Sequence, residues 1–475
     1  MTKRRDIPSA PEPLEAYAKH FDDLLGKSNQ RDEFRRYLEG LLLPTERNKT
    51  LTGLANTEPY VGAQHPRAQG MQWFLSESNW QERQVQERRL HLLLEEPSTV
   101  PHGQGVLVID EHGDRKRGHK TAHVGKQYLA NLGKLDTGVV SVTSLWADER
   151  VYYPVDFDPY TPADYFPKGK QDPQFRTKLK IGLELVRRAV QVPIPFRAVV
   201  ADTFYGEDRG FREGLRNLKV GFVLALKPSH AWWHPEAEIG SFQEAAQQTG
   251  WKRAERPGRW IKVTRTFRDG SMQDWWALEL DICPFGPDKQ ERVIVATTDP
   301  ATLPDLTTFY LVTNLPAPGS RRAQDSEFTA AGVEEVVRLY GLRMWVEQSY
   351  KQVKHALGWS EYQVRSNQAM RRHWQLVCCA FSFCWYHQAH APATELPTAP
   401  VELASTVSAQ QKQEVATAEE RGGGKKGARS ARATAGVLAA SVTGGQSLAR
   451  TLGLAPALLA GVVSTAPTSP PPATP

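Results

Sequence analysis

The sequence predicts an α/β protein in which helices pack against a mixed β-sheet. Two short apolar runs, GVLVID (residues 105–110) and FRAVVAD (residues 196–202), have the character of buried strands, and each ends in an acid. Around them, segments with a 3.6-residue apolar period alternate with further apolar runs. This alternation of helix and strand patterns indicates a layer of helices on a sheet.

Residues 1–100 show only helical patterns, such as RDEFRRYLEGLLL, in which apolar residues recur beside charged ones about every 3.6 positions. We predict a helical domain at 1–100. Its cations either dock on DNA phosphates or form an ordinary solvated basic face, and the residues alone leave both alternatives open. These cations are Arg35, Arg36, Arg47, Lys49, Arg83, Arg88 and Arg89.

The predicted sheet lies mainly in residues 101–228, which begin with a meander of three strands and continue as helix, strand, helix and strand. Residues 324–390 complete this core with helices, the first of which we expect from about Glu334 to Gly358. Asp110 and Asp202 are each expected at the end of a central strand. Such strand ends gather at one edge of an open α/β sheet and form sites there.

Residues 229–323 are rich in strand patterns, including WIKVTRT, DWWALELDIC, ERVIVATT and TTFYLVTNL. We predict that they form an inserted β-rich domain, because a connection between a strand and a helix needs far fewer residues. Four tryptophans in this segment are candidates for stacking on an extruded DNA base, although burial is the ordinary role of such side chains. They are Trp232, Trp233, Trp275 and Trp276.

Residues 391–475 are rich in Ala, Thr, Ser, Gly and Pro, a composition that cannot bury a core, and we expect a disordered tail. The net charge of +6 permits a polyanionic partner without requiring one. The four cysteines form no C-x2-C pair, which argues against a zinc finger and fits a reducing cytoplasm. No segment predicts a signal peptide or a membrane span, so we expect a cytoplasmic protein.

The helix predicted at 334–358, EEVVRLYGLRMWVEQSYKQVKHALG, carries a polar cluster beside an apolar stripe. At 100° per residue, four polar side chains fall within an arc of about 60°. An Arg–Glu pair at i,i+4 spacing is common on solvated helices. A carboxylate between two cations at the edge of a buried stripe instead suggests a charged partner, because burying an unpaired charge is costly. The four residues are Tyr340, Arg343, Glu347 and Lys354.

Their spacing, Tyr-x2-Arg-x3-Glu-x6-Lys, resembles the YREK signature of DDE transposases from bacterial insertion sequences, with all four letters matched. Two further patches resemble the same family: VLVIDEHGDRKRGHKTAHVGKQYLANLGK around Asp110 and VVADTFYGEDRGFREGL around Asp202. The resemblance extends over about residues 30–390. It implies a ribonuclease-H-like catalytic core, a helical DNA-binding domain at the N-terminus and a β-rich insertion between the second Asp and the Glu.

The resemblance also implies the site and the reaction. Asp110, Asp202 and Glu347 are the implied catalytic and metal-binding acids, which hold two Mg²⁺ ions, for which Mn²⁺ can substitute. The implied reaction is cleavage of the transposon ends and strand transfer to target DNA. The implied partners are the terminal inverted repeats and the target DNA, bound by a homodimer at the bacterial nucleoid, with no membrane partner. The residues expected to contact DNA are Tyr340, Arg343 and Lys354, together with Lys351 on the same helix.

The residue types suit this chemistry. Three carboxylates without His or Cys select hard divalent cations. Two such ions about 4 Å apart can activate a water or a 3′-hydroxyl and stabilise the leaving oxygen of a phosphodiester. Arg343 suits a bidentate grip on a phosphate. Where relatives commonly carry Asp-Asp-Thr, this chain has Asp110-Glu111-His112, so Glu111 or His112 could add a ligand.

Two other functions remain open from the sequence. A catalytically inactive, transposase-derived DNA-binding protein would keep the basic surfaces, and the altered residues after Asp110 would suit it. An unrelated hydrolase could use paired carboxylates as acid and base, but this leaves Arg343 and Lys354 without a role. Metal-dependent nicking of DNA that carries the terminal repeats separates the first alternative from an active transposase.

Overall fold

The computed structural model describes residues 12–43, 48–57, 64–130, 132–232, 240–266, 272–285 and 291–390. Within these ranges the protein is a mixed α/β structure in which helices cover a ten-stranded sheet. No helix in these ranges is long and apolar enough to cross a membrane. The predictions for Arg47, Trp233 and the tail at 391–475 lie outside the described residues.

The N-terminal region is helical and packs on a helix from the other end of the described chain. The last helix, α13 (Asn367–His390), packs on at least four of the five N-terminal α-helices. In their shared core the ring of Tyr17 lies 5.5 Å from that of Phe383 and 5.3 Å from that of Tyr386, between centroids. The N-terminal helices are α1 (Glu12–Lys19), α2 (Ser28–Leu42), α3 (Leu51–Leu54), α4 (Pro66–Ser76) and α5 (Glu82–Glu95).

The first half of the sheet has the strand order β4-β3-β1-β5-β6. β3 is antiparallel to β1, β2 and β4, whereas β5 is parallel to β1 and β6 is parallel to β5. The strands are β1 (Val106–Arg115), β2 (Gly125–Leu129), β3 (Lys134–Ala147), β4 (Tyr152–Tyr160), β5 (Ala198–Ala201) and β6 (Phe222–Leu226). The helices among them are α6 (Lys178–Gln191), α7 (Thr203–Gly206) and α8 (Arg209–Asn217).

The strands within residues 229–323 extend the same sheet. β10 is antiparallel to β6, and β9, β8 and β7 follow in turn, each antiparallel to its neighbour. The division of the chain into domains at residues 229 and 323 stays a prediction. The elements of this segment are α9 (Phe242–Gln247), β7 (Ile261–Thr266), β8 (Met272–Leu280), β9 (Arg292–Thr297), β10 (Thr308–Thr313) and α10 (Arg321–Asp325).

The prediction of a single α-helix from about Glu334 to Gly358 is wrong, because the segment is broken once, between Gly341 and Met344, and its last turns are π-helical. α11 (Val333–Gly341) ends at a glycine, a poor helix former, and α12 (Met344–Lys351) begins after a tight turn. In that turn the backbone N–H of Arg343 donates to the carbonyl of Tyr340, three residues back, instead of four. After α12 the chain continues as a π-helical turn, Gln352–Ala356.

Candidate active site

Asp110 and Asp202 are brought together by the parallel pairing of β1 with β5. The last paired residues are Val108 and Val200, and the two aspartates lie two residues further along each chain, in the same direction. Asp202 directly follows β5, as predicted. The prediction that Asp110 ends its strand is wrong: β1 continues to Arg115 because it stays paired with β3.

The two aspartates have different surroundings. Asp110 is buried, with 12% of its side chain exposed, and its Oδ1 accepts a hydrogen bond from the N–H of Glu111 at 2.8 Å. Burial raises the pKa of Asp110 to about 7, although the nearby Arg343 opposes the rise and Asp202 adds to it. Asp202 is 37% exposed and caps α7, where its Oδ1 accepts from the N–H of Phe204 at 3.0 Å.

Arg343 joins the three predicted acids. Its Nη2 lies 2.9 Å from Asp110 Oδ2 and 3.9 Å from Asp202 Oδ2. Its Nη1 lies 4.0 Å from Oε1 of Glu347, one turn later on α12. The first contact is a hydrogen bond and the other two are longer ion-pair contacts. Carboxylates from β1, from the end of β5 and from α12 therefore surround one guanidinium.

The exposure of the three acids increases from the sheet towards α12. Asp110 is 12% exposed, Asp202 37% and Glu347 66%. The site is therefore closed on the side of β1 and open to solvent on the side of Glu347. A large substrate can reach the acids from the open side.

The three acids have the donor chemistry that a divalent cation requires, but in this structure they are not close enough together to bind one. Three carboxylates without His or Cys are the donor set that hard cations prefer. In the described part of the chain, however, no three or more His, Cys, Asp or Glu side chains are close enough to hold one metal ion. Arg343 lies among the carboxylates and holds them by charge, so it would have to move before Asp110, Asp202 and Glu347 could close on a cation.

The residues after Asp110 have their own partners. His112 and Asp114 continue the same face of β1, because alternate residues of a strand share a face. His112 Nε2 hydrogen-bonds Oδ1 of Asp114 at 2.9 Å, and Glu111, on the opposite face, pairs with Lys178 Nζ at 2.9 Å. The geometry therefore gives no support to Glu111 or His112 as an added ligand. Asp114, which contacts His112 and Lys354, was not among the predicted residues, although its even spacing from Asp110 indicates the same face of β1.

The other residues predicted to contact DNA are placed unequally. Lys354, on the π-helical turn, points to β1, with its Nζ 3.6 Å from Asp114 Oδ1, and burial lowers its pKa. Tyr340 is buried against Phe309, with ring centroids 5.4 Å apart, and burial raises its pKa to about 12. Lys351 is exposed on α12. Of these three, Lys351 is the one open to a large partner.

The cations predicted in the helical region are bound within the protein. Lys49 Nζ donates to the carbonyl of Leu43 at 2.6 Å, and Arg89 Nη1 donates to that of Pro154 at 2.7 Å. Four others are ion-paired, so the structure does not present these six side chains as an open basic face. The pairs are Arg35 with Glu15 and Asp22, Arg36 with Glu33, Arg83 with Asp156, and Arg88 with Asp23.

Three of the four candidate stacking tryptophans pack within the protein. Trp275 is buried and stacks on Phe309, with centroids 5.7 Å apart. Trp276 lies edge-on to another tryptophan at 4.7 Å, and Trp232 Nε1 donates to the carbonyl of Ser241 at 3.0 Å. These contacts are typical of packing.

Comparison with known proteins identifies the family of the chain. Residues 20–276 match the family model described as DDE superfamily endonuclease, and the chain belongs to this family. It is 31% identical over 360 residues to the "Probable transposase for insertion sequence element IS701" of Microchaete diplosiphon, over 75% of this chain and 83% of that protein. This relative confirms the predicted resemblance and places the chain, within the superfamily, among transposases of the insertion-sequence type.

A solved structure is also similar, but only loosely. The cryo-EM structure of a piggyBac transposase synaptic complex with hairpin DNA aligns with a TM-score of 0.36 and 12% identity, over 82% of this chain and 69% of that one. A superposition this loose carries no conclusion about fold or function.

Proposed function

We propose that this protein cleaves the ends of an insertion sequence by a metal-dependent reaction and joins the freed 3′-hydroxyls to target DNA. The observation that carries the proposal is the convergence of Asp110, Asp202 and Glu347 on the guanidinium of Arg343. Family membership and the insertion-sequence relative support it.

The proposal includes a ribonuclease-H-like core. The strand order β4-β3-β1-β5-β6 supports it, since three antiparallel strands are followed by two strands parallel to β1. In this arrangement, acids on the central strand and its parallel neighbour share one edge of the sheet, and a helix supplies the third. We also propose that residues 1–100 form a separate helical domain and that residues 229–323 form a β-rich insertion.

Each residue has a role in this reaction. Asp110, Asp202 and Glu347 would hold two divalent cations, Mg²⁺ or Mn²⁺. When bound, such ions supply an activated water or 3′-hydroxyl and stabilise the leaving oxygen. Arg343, released from the acids, would present a planar fork to a phosphate of the cleaved strand. Lys351 lies one turn after Glu347 on the open side, where it would contact the DNA backbone.

The proposed partners are the terminal inverted repeats and the target DNA. Both ends of the element must be held together before they are joined to a target, so we propose a homodimer on DNA. Such a protein acts in the cytoplasm, at the nucleoid.

Nicking of a supercoiled plasmid that carries the terminal repeats tests the proposal. With Mg²⁺, Asp110→Asn, Asp202→Asn and Glu347→Gln should each reduce nicking to background. DNA binding, measured with Ca²⁺ in place of Mg²⁺, should persist in all three variants. Glu334→Gln is the matched control, because Glu334 is an exposed glutamate on α11 outside the site.

Two outcomes would contradict the proposal. Nicking that persists in all three acid variants refutes the assignment of the site. Wild-type protein that binds the terminal repeats but never nicks them would favour the catalytically inactive DNA-binding protein.

A further inference from the structure

The loop after β1 and the β2–β3 hairpin beside it carry five exposed cations. Asp136 Oδ2 lies 3.0 Å from Arg115 Nε and 4.0 Å from Lys134 Nζ, so two of the cations share one carboxylate. The other three form no ion pair with any residue in the described ranges. The strand register places Arg115 and Lys134 on the face of the sheet opposite to Lys126. We therefore call only the three unpaired cations the β1–β2 cation patch, and its members are Arg117, Lys120 and Lys126.

The loop is fixed to the body of the protein. Lys116, the neighbour of Arg117, turns inward, where its Nζ lies 3.4 Å from the centroid of the Tyr362 ring and donates to the carbonyl of Ser360 at 2.9 Å. Further along the loop, the N–H of Ala122 donates to the carbonyl of Arg365 at 2.8 Å. These contacts hold both ends of the loop, and the cations between them face solvent. The patch is therefore a positioned surface.

Its distance from the acids is set by the register of the sheet. Asp110 lies opposite Thr143 of β3 and Lys126 lies opposite Thr137, so the two side chains share a face and are six residues apart along the strands. At about 3.3 Å per residue this separation is about 20 Å along the strands. Successive base pairs of a duplex are about 3.4 Å apart along its axis, so it corresponds to about six base pairs.

The outer face of β2 adds an aromatic side chain to the patch. Tyr128 is 51% exposed and lies two residues after Lys126, so both face the same side of the strand. A tyrosine hydroxyl next to a lysine can donate a hydrogen bond to a phosphate oxygen of a duplex. By contrast, six cations of the helical region are already bound to acids or carbonyls within the protein.

We propose that the β1–β2 cation patch binds the phosphate backbone of duplex DNA about six base pairs from the cleaved phosphate, independently of base sequence. The proposal rests on the proposed function and adds to it the surface on which the DNA lies. The charge of the patch is complementary to phosphates, and its fixed distance from Asp110 gives the flanking duplex a defined position.

The test compares two triple variants of the full chain, R117Q/K120Q/K126Q in the patch and K219Q/K252Q/R256Q as the matched control. The control residues are also exposed cations, but they lie outside the patch. Lys252 and Arg256 come just before β7, which is at the opposite edge of the sheet from β2. Binding of a fluorescent duplex is measured by anisotropy in Ca²⁺ at several salt concentrations. Thermal unfolding checks that both variants fold.

Log affinity falls linearly with log salt concentration, by about 0.9 for each neutralised phosphate. If each of the three patch side chains neutralises one phosphate, this negative slope should be less steep in the patch variant by about 2 to 3. The DNA affinity of the patch variant should fall at least about tenfold at physiological salt. The control variant should keep the affinity and the salt slope of the wild type. Hydroxyl-radical footprinting of the patch variant should show lost protection about six nucleotides from the cleaved phosphate.

An unchanged salt slope in a folded patch variant, or equal losses in both variants, overturns the inference. If wild-type nicking still depends on Asp110, the proposed function survives that result. A patch variant that binds DNA normally but loses self-association would assign the surface to a second copy of the chain, and this also overturns the inference. Wild-type protein that binds no DNA overturns both proposals.

Discussion

Arg343→Met removes the positive charge that three carboxylates share, and it should destabilise the protein. Breaking a fully buried ion pair costs about 3–5 kcal/mol, because it leaves a buried charge without a partner. Here Asp202 and Glu347 are 37% and 66% exposed, so water stabilises them, and the main loss is the 2.9 Å contact with buried Asp110. Because the pKa of Asp110 is about 7, this acid can take up a proton at neutral pH when Arg343 is lost, and the loss of stability is then small. At pH 9, about two units above that pKa, the wild-type carboxylate is ionised and we expect a loss of about 2–3 kcal/mol.

Urea unfolding in the presence of EDTA measures this loss. Arg338→Met is the matched control, because Arg338 pairs with Glu149 on the surface and should contribute less than about 1 kcal/mol. Added Mg²⁺ should then stabilise the Arg343 variant more than the wild type, since the guanidinium and the cation compete for the same oxygens. A cation present at about a hundred times its Kd adds about 2.7 kcal/mol.

An Arg343 variant that is as stable as the Arg338 variant without metal would contradict this prediction. Equal stabilisation of the Arg343 variant and the wild type by Mg²⁺ would contradict it as well. The first result would mean that the guanidinium does not balance the acids, and the second that it does not compete with the cation.

Two further predictions concern Asp158 on β4 and Gly206 on α7. Burial alone would raise the pKa of Asp158, but Arg371 and two other arginines outweigh burial and lower it to about 2. Its charge therefore stabilises the fold above the unfolded pKa near 3.9, and this contribution is lost as the pH falls through about 2. Asp158→Asn should lower the free energy of unfolding, measured with urea at pH 7, by about 2 kcal/mol. The difference in unfolding free energy between this variant and the wild type should become smaller below about pH 4. A difference that does not change with pH would contradict the prediction. Gly206→Ala should lower the Tm by several degrees, because a Cβ at this position collides with the carbonyl of Ala225 under α7. Gly26→Ala is the control and should leave the Tm unchanged, since a Cβ there meets nothing within 4 Å. Equal Tm values for the two variants would contradict this prediction.

The sequence was sufficient to identify the strands that carry the two aspartates. A strand covered on both faces leaves a continuous apolar run, and such runs precede Asp110 and Asp202. The spacing of Arg343 and Glu347 likewise predicted that they share a helix face. The register that puts Val108 opposite Val200 could not be predicted, because pairing between distant strands depends on packing across the whole sheet.

Other features were outside the reach of local patterns. β4 contains Pro154 and Pro159, which argue against a strand, yet it forms because it pairs with β3 alone among the described strands and needs fewer N–H donors. The break after Gly341 was hidden by the regular apolar period on both sides. The pairing of Arg35 with Glu15 was hidden for another reason: its partner lies on a different helix, and periodicity within one helix cannot reveal it.

The position of α13 also affects how the protein is made. Because α13 packs on α1, α2, α4 and α5, the apolar sides of these early helices stay uncovered until residues 367–390 have left the ribosome. A chain terminated earlier would expose core side chains such as Tyr17 and would aggregate or be degraded. Cells should therefore accumulate few shortened copies able to occupy DNA in place of the finished protein.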